Sequence, residues 1–307
     1  MPSVLILSAE DDTGGVGVAL AQALNRHTDW SARAVHRTQN YIQYPVDILW
    51  PPGLPPTDEI RALAATADVL HVMERWDAVD WLPGWPDKPV VMHHHGTIYR
   101  EWRTAALNAE VERFRAYPIC STIDLTLLGP GVEWLPNPVD IGRMQAIRAE
   151  EYEERDGLRA AHSPTNSGIK GTDAFIRACS GAGFDLDLIQ WVDWETCLRR
   201  KARADIVLDQ LTYGYGLSGI EAMAMGMPVV GGCRDQRVAD LMHATFGNHP
   251  FLLADERTLP GMVAYLRDPE ARAASAAVGL SIVREWHEES RVAARLVDVY
   301  GKAQSLR

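Results

Sequence analysis

The sequence has no paired cysteines, few basic residues and no long apolar run. Its four cysteines, Cys120, Cys179, Cys197 and Cys233, form no Cys-x-x-Cys pair. Neither a zinc site nor a disulfide framework is suggested, and a reducing cytoplasm fits. No apolar run approaches the ~20 residues that span a bilayer, so stable membrane insertion is not expected. The N-terminus, MPSVLILSAEDD, turns acidic too soon for a secretory signal. Lysine and arginine number 30 against 41 aspartates and glutamates, a formal net charge of -11. That balance does not favour gripping a polyanion by charge alone, though it leaves room for a local basic groove. The G-x-G-x-x-G fingerprint is missing too, and no acidic residue closes a recognisable second strand at the spacing it needs. A dinucleotide-dependent oxidoreductase is therefore disfavoured.

What is present is a globular composition, 47% hydrophobic and 23% charged, over 307 residues. That length favours two domains. Apolar runs of strand length alternate with helical spacing. SVLILSAE, ADVLHVME, KPVVMHHHG, YPICST and VEWLPNPVD make a first series of strands, with a glycine loop, TGGVG, and the helix VALAQALNRH after the first. The charged stretch from Ile141 to Leu158 reads as a helical connector. A second series follows: RAAHSPT, the helix GTDAFIRACSGAG, FDLDLIQWV, the helix WETCLRRKA, DIVLDQL, the helix SGIEAMAMG and MPVVGG. From Gln236 onward the chain is mainly helical. Two such series predict an α/β protein of two Rossmann-like halves.

Four stretches carry candidate chemistry. Gly14 and Gly15, in TGGVG, allow backbone to approach a phosphate at a helix start; the plain alternative is a tight strand-to-helix turn. HHHG, His93 to Gly96, ends a strand at the sheet edge where α/β proteins bind ligands. Alternation turns His93 and His95 to one face and His94 to the other. Metal ligation, hydrogen-bonded histidines at a strand end and a ligand-contacting His95 are the three options there. Lys170 and Gly171, in HSPTNSGIKGT, open a helix, where a cation opposes the helix dipole unless a bound phosphate reverses the sign. Ser218-Gly219-Ile220-Glu221 has the S-x-x-E pattern of a capping box, a structural role sufficient to explain the carboxylate.

In order and spacing these motifs resemble the retaining GT-B glycosyltransferases of the large "group 1" family (family 4-like). Their counterparts here are TGGVG, HHHG, LPNPVD, IKGT and TYGYGLSGIEAMAMGMPVVGG, the last being the most specific. The resemblance covers most of the chain. It implies two Rossmann-like domains facing a cleft: an acceptor-side domain over residues 1–142, a nucleotide-sugar-binding domain over 143–288, and a C-terminal helix over 289–307 packing back on the first. It also implies a cytoplasmic hexosyltransferase that needs no metal and no cofactor, with a UDP- or GDP-type sugar as donor.

The resemblance further implies residue roles. Gly14 and Gly15 face the donor's phosphate or sugar, and His95 contacts the transferred sugar. Lys170, with Asn166 and Gly171 beside it, binds the diphosphate. Glu221 hydrogen-bonds the ribose. Tyr215, Gly216, Leu217 and Ser218 offer backbone donors at a helix start. The family's two glutamates are separated by seven residues, and Tyr213 stands where the first is usual, which leaves Asp209 as the nearest carboxylate before it. Ser167 stands where an arginine is common. These departures leave room for an inactive sugar-nucleotide-binding relative, and a GT-B epimerase is a further alternative. The acceptor is a hydroxyl compound, small or polymeric, with a hydroxylated base in nucleic acid as a minor option. Trp76, Trp81 and Trp85 are candidates for stacking on a sugar or base, although core packing is the commoner role. YREWRTAALNAEVERFRAY mixes arginines with glutamates and reads as a solvated helix face rather than a lipid-binding one.

Overall fold

The computed structural model describes residues 1–8, 10, 12–74, 82, 84–96 and 98–307, with backbone alone at 13, 86 and 101–103. It divides into two compact units, Met1–Pro138 with Glu289–Arg307, and Val139–Glu288.

Unit 1 contains β1 (Ser3–Ser8), α1 (Val16–His27), β2 (Ser31–His36), β3 (Ile48–Leu49), α2 (Asp58–Thr66), β4 (Val69–Met73), β5 (Val90–His94), α3 (Thr104–Phe114), β6 (Tyr117–Cys120) and β7 (Glu133–Trp134). All seven strands run parallel in the order β3-β2-β1-β4-β5-β6-β7. Strands buried on both faces need continuous apolar runs, and VLIL of β1 is buried throughout. β2 has no such run. SARAVH is interrupted by Arg33, which reaches out to Asp47 at 2.9 Å, and this is why the second strand is hard to recognise in the sequence.

Unit 2 contains α4 (Ile141–Glu151), β8 (Leu158–His162), α5 (Ser167–Lys170), α6 (Thr172–Ala182), β9 (Phe184–Leu188), α7 (Trp194–Ala202), β10 (Ile206–Leu208), β11 (Tyr213–Gly214), α8 (Leu217–Ala224), β12 (Val229–Cys233), α9 (Gln236–Phe246), β13 (Leu252–Leu253), α10 (Leu259–Tyr265) and α11 (Pro269–Trp286). Its sheet runs β11-β12-β10-β8-β9, with β13 also paired to β12 and only β11 antiparallel. The chain goes from β8 to β9 on one side and later to β10 on the other, so a topological switch lies at the C-terminal ends of β8 and β10. The predicted connector is helical only over α4. Asp140, from the LPNPVD stretch, caps it by accepting from the Arg143 amide at 2.9 Å.

The last helix, α12 (Glu289–Gln304), belongs to unit 1. Val292, Leu296, Val299, Tyr300 and Ala303 recur at helical spacing and are buried with Leu20 and Leu24 of α1 and Val4 and Ile6 of β1. Arg26 of α1 holds Glu289 at its first turn at 2.8 Å, a favourable end for a carboxylate.

Candidate functional site

At the switch point of unit 2, Asp209 follows β10 directly and is buried. One oxygen meets Lys170 Nζ at 3.2 Å, and the other accepts from the Gly216 amide at 2.7 Å. Gly216 is the N-cap of α8. One carboxylate therefore ties the lysine to the start of a helix whose first amides have no intrahelical acceptor. The approach is close: a Cβ on Gly219 would lie 2.8 Å from Asp209 Oδ2. Ser218 Oγ meets Ser163 Oγ, from the loop after β8, at 2.9 Å. Asn166 caps α5 by accepting from the Ile169 amide. His162, the last residue of β8, is bonded through Nδ1 to the Leu208 carbonyl and through Nε2 to Thr172. Burial lowers it to about 4, so it is neutral.

Two local expectations are corrected. Lys170 does not open a helix: it ends the one-turn α5, and left-handed Gly171 separates it from α6. Its charge is met by Asp209, so the dipole argument for an unpaired cation does not apply. Nor is Glu221 part of a capping box. α8 begins one residue before Ser218 and has no side-chain cap. Glu221 instead lies beneath the helix, 4% exposed. Its Oε1 accepts from Trp194 Nε1 at 2.7 Å and its Oε2 from Lys201 Nζ at 2.7 Å. Lys201 is 1% exposed. Burial is the largest single influence and pulls its pKa down, but the charge and hydrogen bond of Glu221, with Cys197 and Asp209, together hold it above the usual lysine value. No local motif points to Lys201 or Trp194. Helix α7 does carry the unusual run Leu198-Arg199-Arg200-Lys201, of which Lys201 falls on the buried face with Leu198. Tyr215 is buried, its hydroxyl 3.2 Å from His287 Nε2.

In unit 1 the TGGVG turn holds Gly14 and Gly15 at φ of 67° and 68°, and a Cβ on Gly15 would meet the Tyr44 ring at 2.8 Å. The helix start that follows is already occupied by an internal anion. Asp12 accepts from the Gly17 amide at 2.7 Å and the Val18 amide at 2.9 Å. The sequence reading of a phosphate cradle missed this residue, although an aspartate before a helical run is an ordinary capping signal.

The three histidines at the end of β5 are buried. His93 and His95 share a face, with ring centres 4.2 Å apart, and His94 stacks on Tyr99 at 3.9 Å on the other. His93 Nδ1 lies 3.1 Å from His71 Nε2, and His71 Nδ1 lies 3.0 Å from the Tyr300 hydroxyl. Burial lowers His71, His94 and His95 to about 3, and His93 well below its ordinary value. All four are neutral at physiological pH. Among the described residues no cluster of His, Cys, Asp or Glu is arranged to hold a metal ion. Among the described residues no helix is long and apolar enough to cross a membrane. Trp76 and Trp81 lie outside the described residues. Trp85 packs edge-on to Phe114 at 5.0 Å against the core.

No protein-family model matches the chain, and no curated protein sequence matches it. Solved structures do. The HepE protein of Anabaena in complex with UDP and glucose is similar with a TM-score of 0.67 and 14% identity, over 98% of this chain and 100% of that one. Sucrose-phosphate synthase from Thermosynechococcus elongatus is similar with a TM-score of 0.65 and 13% identity, over 100% of both chains. An alpha-glucosyltransferase in complex with UDP and a 13-mer DNA containing an HMU base is similar with a TM-score of 0.66 and 12% identity, over 98% of this chain and 100% of that one. Likeness at this level of identity establishes architecture, and the architecture is GT-B, two Rossmann-like α/β units with the last helix returned to the first.

Proposed function

We propose that the chain is a glycosyltransferase that moves a hexose from a UDP- or GDP-type donor to a hydroxyl acceptor, with retention of configuration and without a metal. The observation that carries this is the Lys170–Asp209–Gly216 arrangement at the switch point of unit 2. It sets an ammonium beside the first turn of α8, the two kinds of group that stabilise a departing diphosphate. In the reaction the bond from the anomeric carbon to the diphosphate oxygen breaks, and a bond to the acceptor oxygen forms. The acceptor's proton ends on the leaving group. Lys170 meets the growing negative charge, exchanging part of its contact with Asp209 for the phosphate. Leu217 and Ser218 supply amides, and Asn166 and Gly171 shape the turn that carries Lys170. Glu221 keeps lone pairs for a ribose hydroxyl beyond the two contacts it already has. His95, neutral, suits a sugar hydroxyl, and Gly14 and Gly15 line the same reading from unit 1. Asp12, capping α1, argues for sugar rather than phosphate at that turn.

The ligands of the similar structures support a uridine donor: UDP, glucose and UDP-glucose accompany HepE. A hydroxylated base in DNA remains the minor acceptor option, supported by the alpha-glucosyltransferase complex and opposed by the net charge of -11. The second reading, an inactive sugar-nucleotide binder, is favoured by Tyr213 and Ser167 at the family's glutamate and arginine positions.

The test is nucleotide release from UDP-glucose and GDP-mannose, with and without a panel of alcohol acceptors and hydroxymethylated DNA, in wild type and Lys170→Met. Acceptor-dependent release, insensitive to EDTA and lowered at least tenfold in Lys170→Met, is expected, since a charge-assisted bond is worth about 1.5–3 kcal/mol. Binding without release supports the inactive reading, and the absence of any nucleotide binding overturns both.

A further inference from the structure

The loop between β9 and α7, in unit 2, carries the one exposed tryptophan among the described residues. Trp191 is 79% exposed and stands at φ 56°, in the left-handed region that a bulky side chain seldom adopts. Both features cost free energy, since the ring stays in water and the backbone is strained. Contacts on both sides hold the loop in this form. Before Trp191, the Ile189 amide donates to the His162 carbonyl at 2.8 Å, and Gln190 Nε2 donates to Ser167 Oγ at 3.0 Å. After it, Asp193 caps α7 by accepting from the Thr196 amide, and Trp194 donates to Glu221. Three of these anchors belong to the candidate site. His162 ends β8, Ser167 begins the one-turn α5 that carries Lys170, and Glu221 lies in α8. Trp191 is three residue steps from Trp194, at most about 11 Å of chain.

We propose that Trp191 stacks on the nucleobase of the donor, and that Gln190 and Ser167 are positioning residues that hold the ring for it. This rests on the reading of unit 2 as a nucleotide-sugar site with Glu221 at the ribose. The base is bonded to the ribose, so a ring that stacks on it has to stand near the ribose contact, and Trp194 ties the loop to Glu221. A displayed indole offers the flat apolar face on which any base stacks. Ser167 brings a hydroxyl and no charge, so Lys170 is the only cation of α5. Binding energy is thereby moved from the diphosphate toward the base. Less of it comes from exposed charge, which salt screens, and more from stacking.

The test measures binding of UMP, UDP, GMP and GDP by calorimetry in wild type, Trp191→Gly, Trp191→Phe and Ser167→Ala. Trp191→Gly removes the ring and suits the left-handed backbone. Its urea midpoint is expected to be no lower than that of wild type, while every nucleotide that wild type binds is held about tenfold more weakly or worse. A tryptophan kept for the fold would show the reverse, a lowered midpoint with unchanged affinity. Trp191→Phe, still aromatic, is expected to keep most of the affinity. Ser167→Ala is expected to weaken UMP and UDP by the same factor, about threefold, because the lost contact holds the loop. A loss confined to the diphosphates would overturn the positioning role of Ser167. The emission of wild type less that of Trp191→Phe is expected to be quenched when nucleotide is added, and this reading decides the matter if Trp191→Gly fails to fold. Full affinity in Trp191→Gly, or an emission that bound nucleotide leaves untouched, overturns the proposal while the donor reading stands. If no nucleotide binds wild type, the donor reading fails and takes this one with it.

Discussion

Unit 2 buries Lys201, Glu221 and Asp209 as ions, and each has an opposite charge or an N–H donor within 3.2 Å. Unit 1 buries four imidazoles along β4 and β5, and four of their ring nitrogens have no protein partner among the described residues. The difference follows from charge. An unpaired ion in the interior costs far more than an unpaired neutral group. A folded chain can hold idle imidazole nitrogens ready for a ligand, provided they stay neutral. It cannot hold an idle ammonium, and Lys170 is paired with Asp209.

The largest effect that separates the two units is acid. His71, His94 and His95 fall from an ordinary 6.5 to about 3 on burial. Above about 6.5 both folded and unfolded forms are neutral and nothing changes. Below it the unfolded chain takes the protons first, so stability falls with pH until about 3. By pH 5 the loss is roughly 2 kcal/mol for each imidazole. Unit 2 has one such buried strand-end group, His162, at about 4. Hydrogen exchange followed from pH 7 to 5 should show unit 1 losing protection first. Simultaneous loss, or unit 2 leading, would break the comparison.

Next is Lys201→Met, which leaves the Glu221 carboxylate buried without its counter-charge. A cost of about 3–5 kcal/mol is expected in urea unfolding. Adding Glu221→Leu to it should recover most of that loss; an additive double variant would show that the two charges do not act as a pair. Glu221→Gln is milder than losing the lysine, because its one amide oxygen still accepts from Lys201 or Trp194, although its NH2 then faces the other donor. About 2 kcal/mol is expected. An unchanged unfolding midpoint would mean that the carboxylate is held for a ligand rather than for Lys201. Smallest is Asp12→Ala, one of the buried charges of unit 1, at a helix start. Losing the contacts to the Gly17 and Val18 amides should cost about 1 kcal/mol in the same assay. A stabilised protein would mean that the carboxylate strains the turn.

Much of this was legible because strands buried on both faces must be apolar throughout. β1, β4, β5 and β12 declare themselves that way, and the glycine that closes α6 marks its end: Gly183 stands at φ 74° as the C-cap. β2 did not, since Arg33 breaks its run to reach Asp47. The alternation that puts His93 and His95 on one face and His94 on the other is a property of extended backbone and needed no tertiary information. The capping box failed because S-x-x-E is a local pattern, and the N-cap of α8 is Gly216, two residues before Ser218, where Asp209 supplies the anchor from seven residues away.

The sequence by itself determined two βα series, the glycine turn at Gly14 and Gly15, and the strand-end position of the histidines, since these depend on periodicity and on backbone sterics within a few residues. The partners of the buried polar groups were decided only by tertiary structure. Glu221 finds Lys201 twenty positions away and Trp194 on the same helix. His71 finds Tyr300 across 229 residues. A polar side chain takes whichever donor or acceptor packing brings within 3 Å once water is excluded. No local window contains that choice, because the cost of leaving the group unpaired appears only when the chain has closed around it.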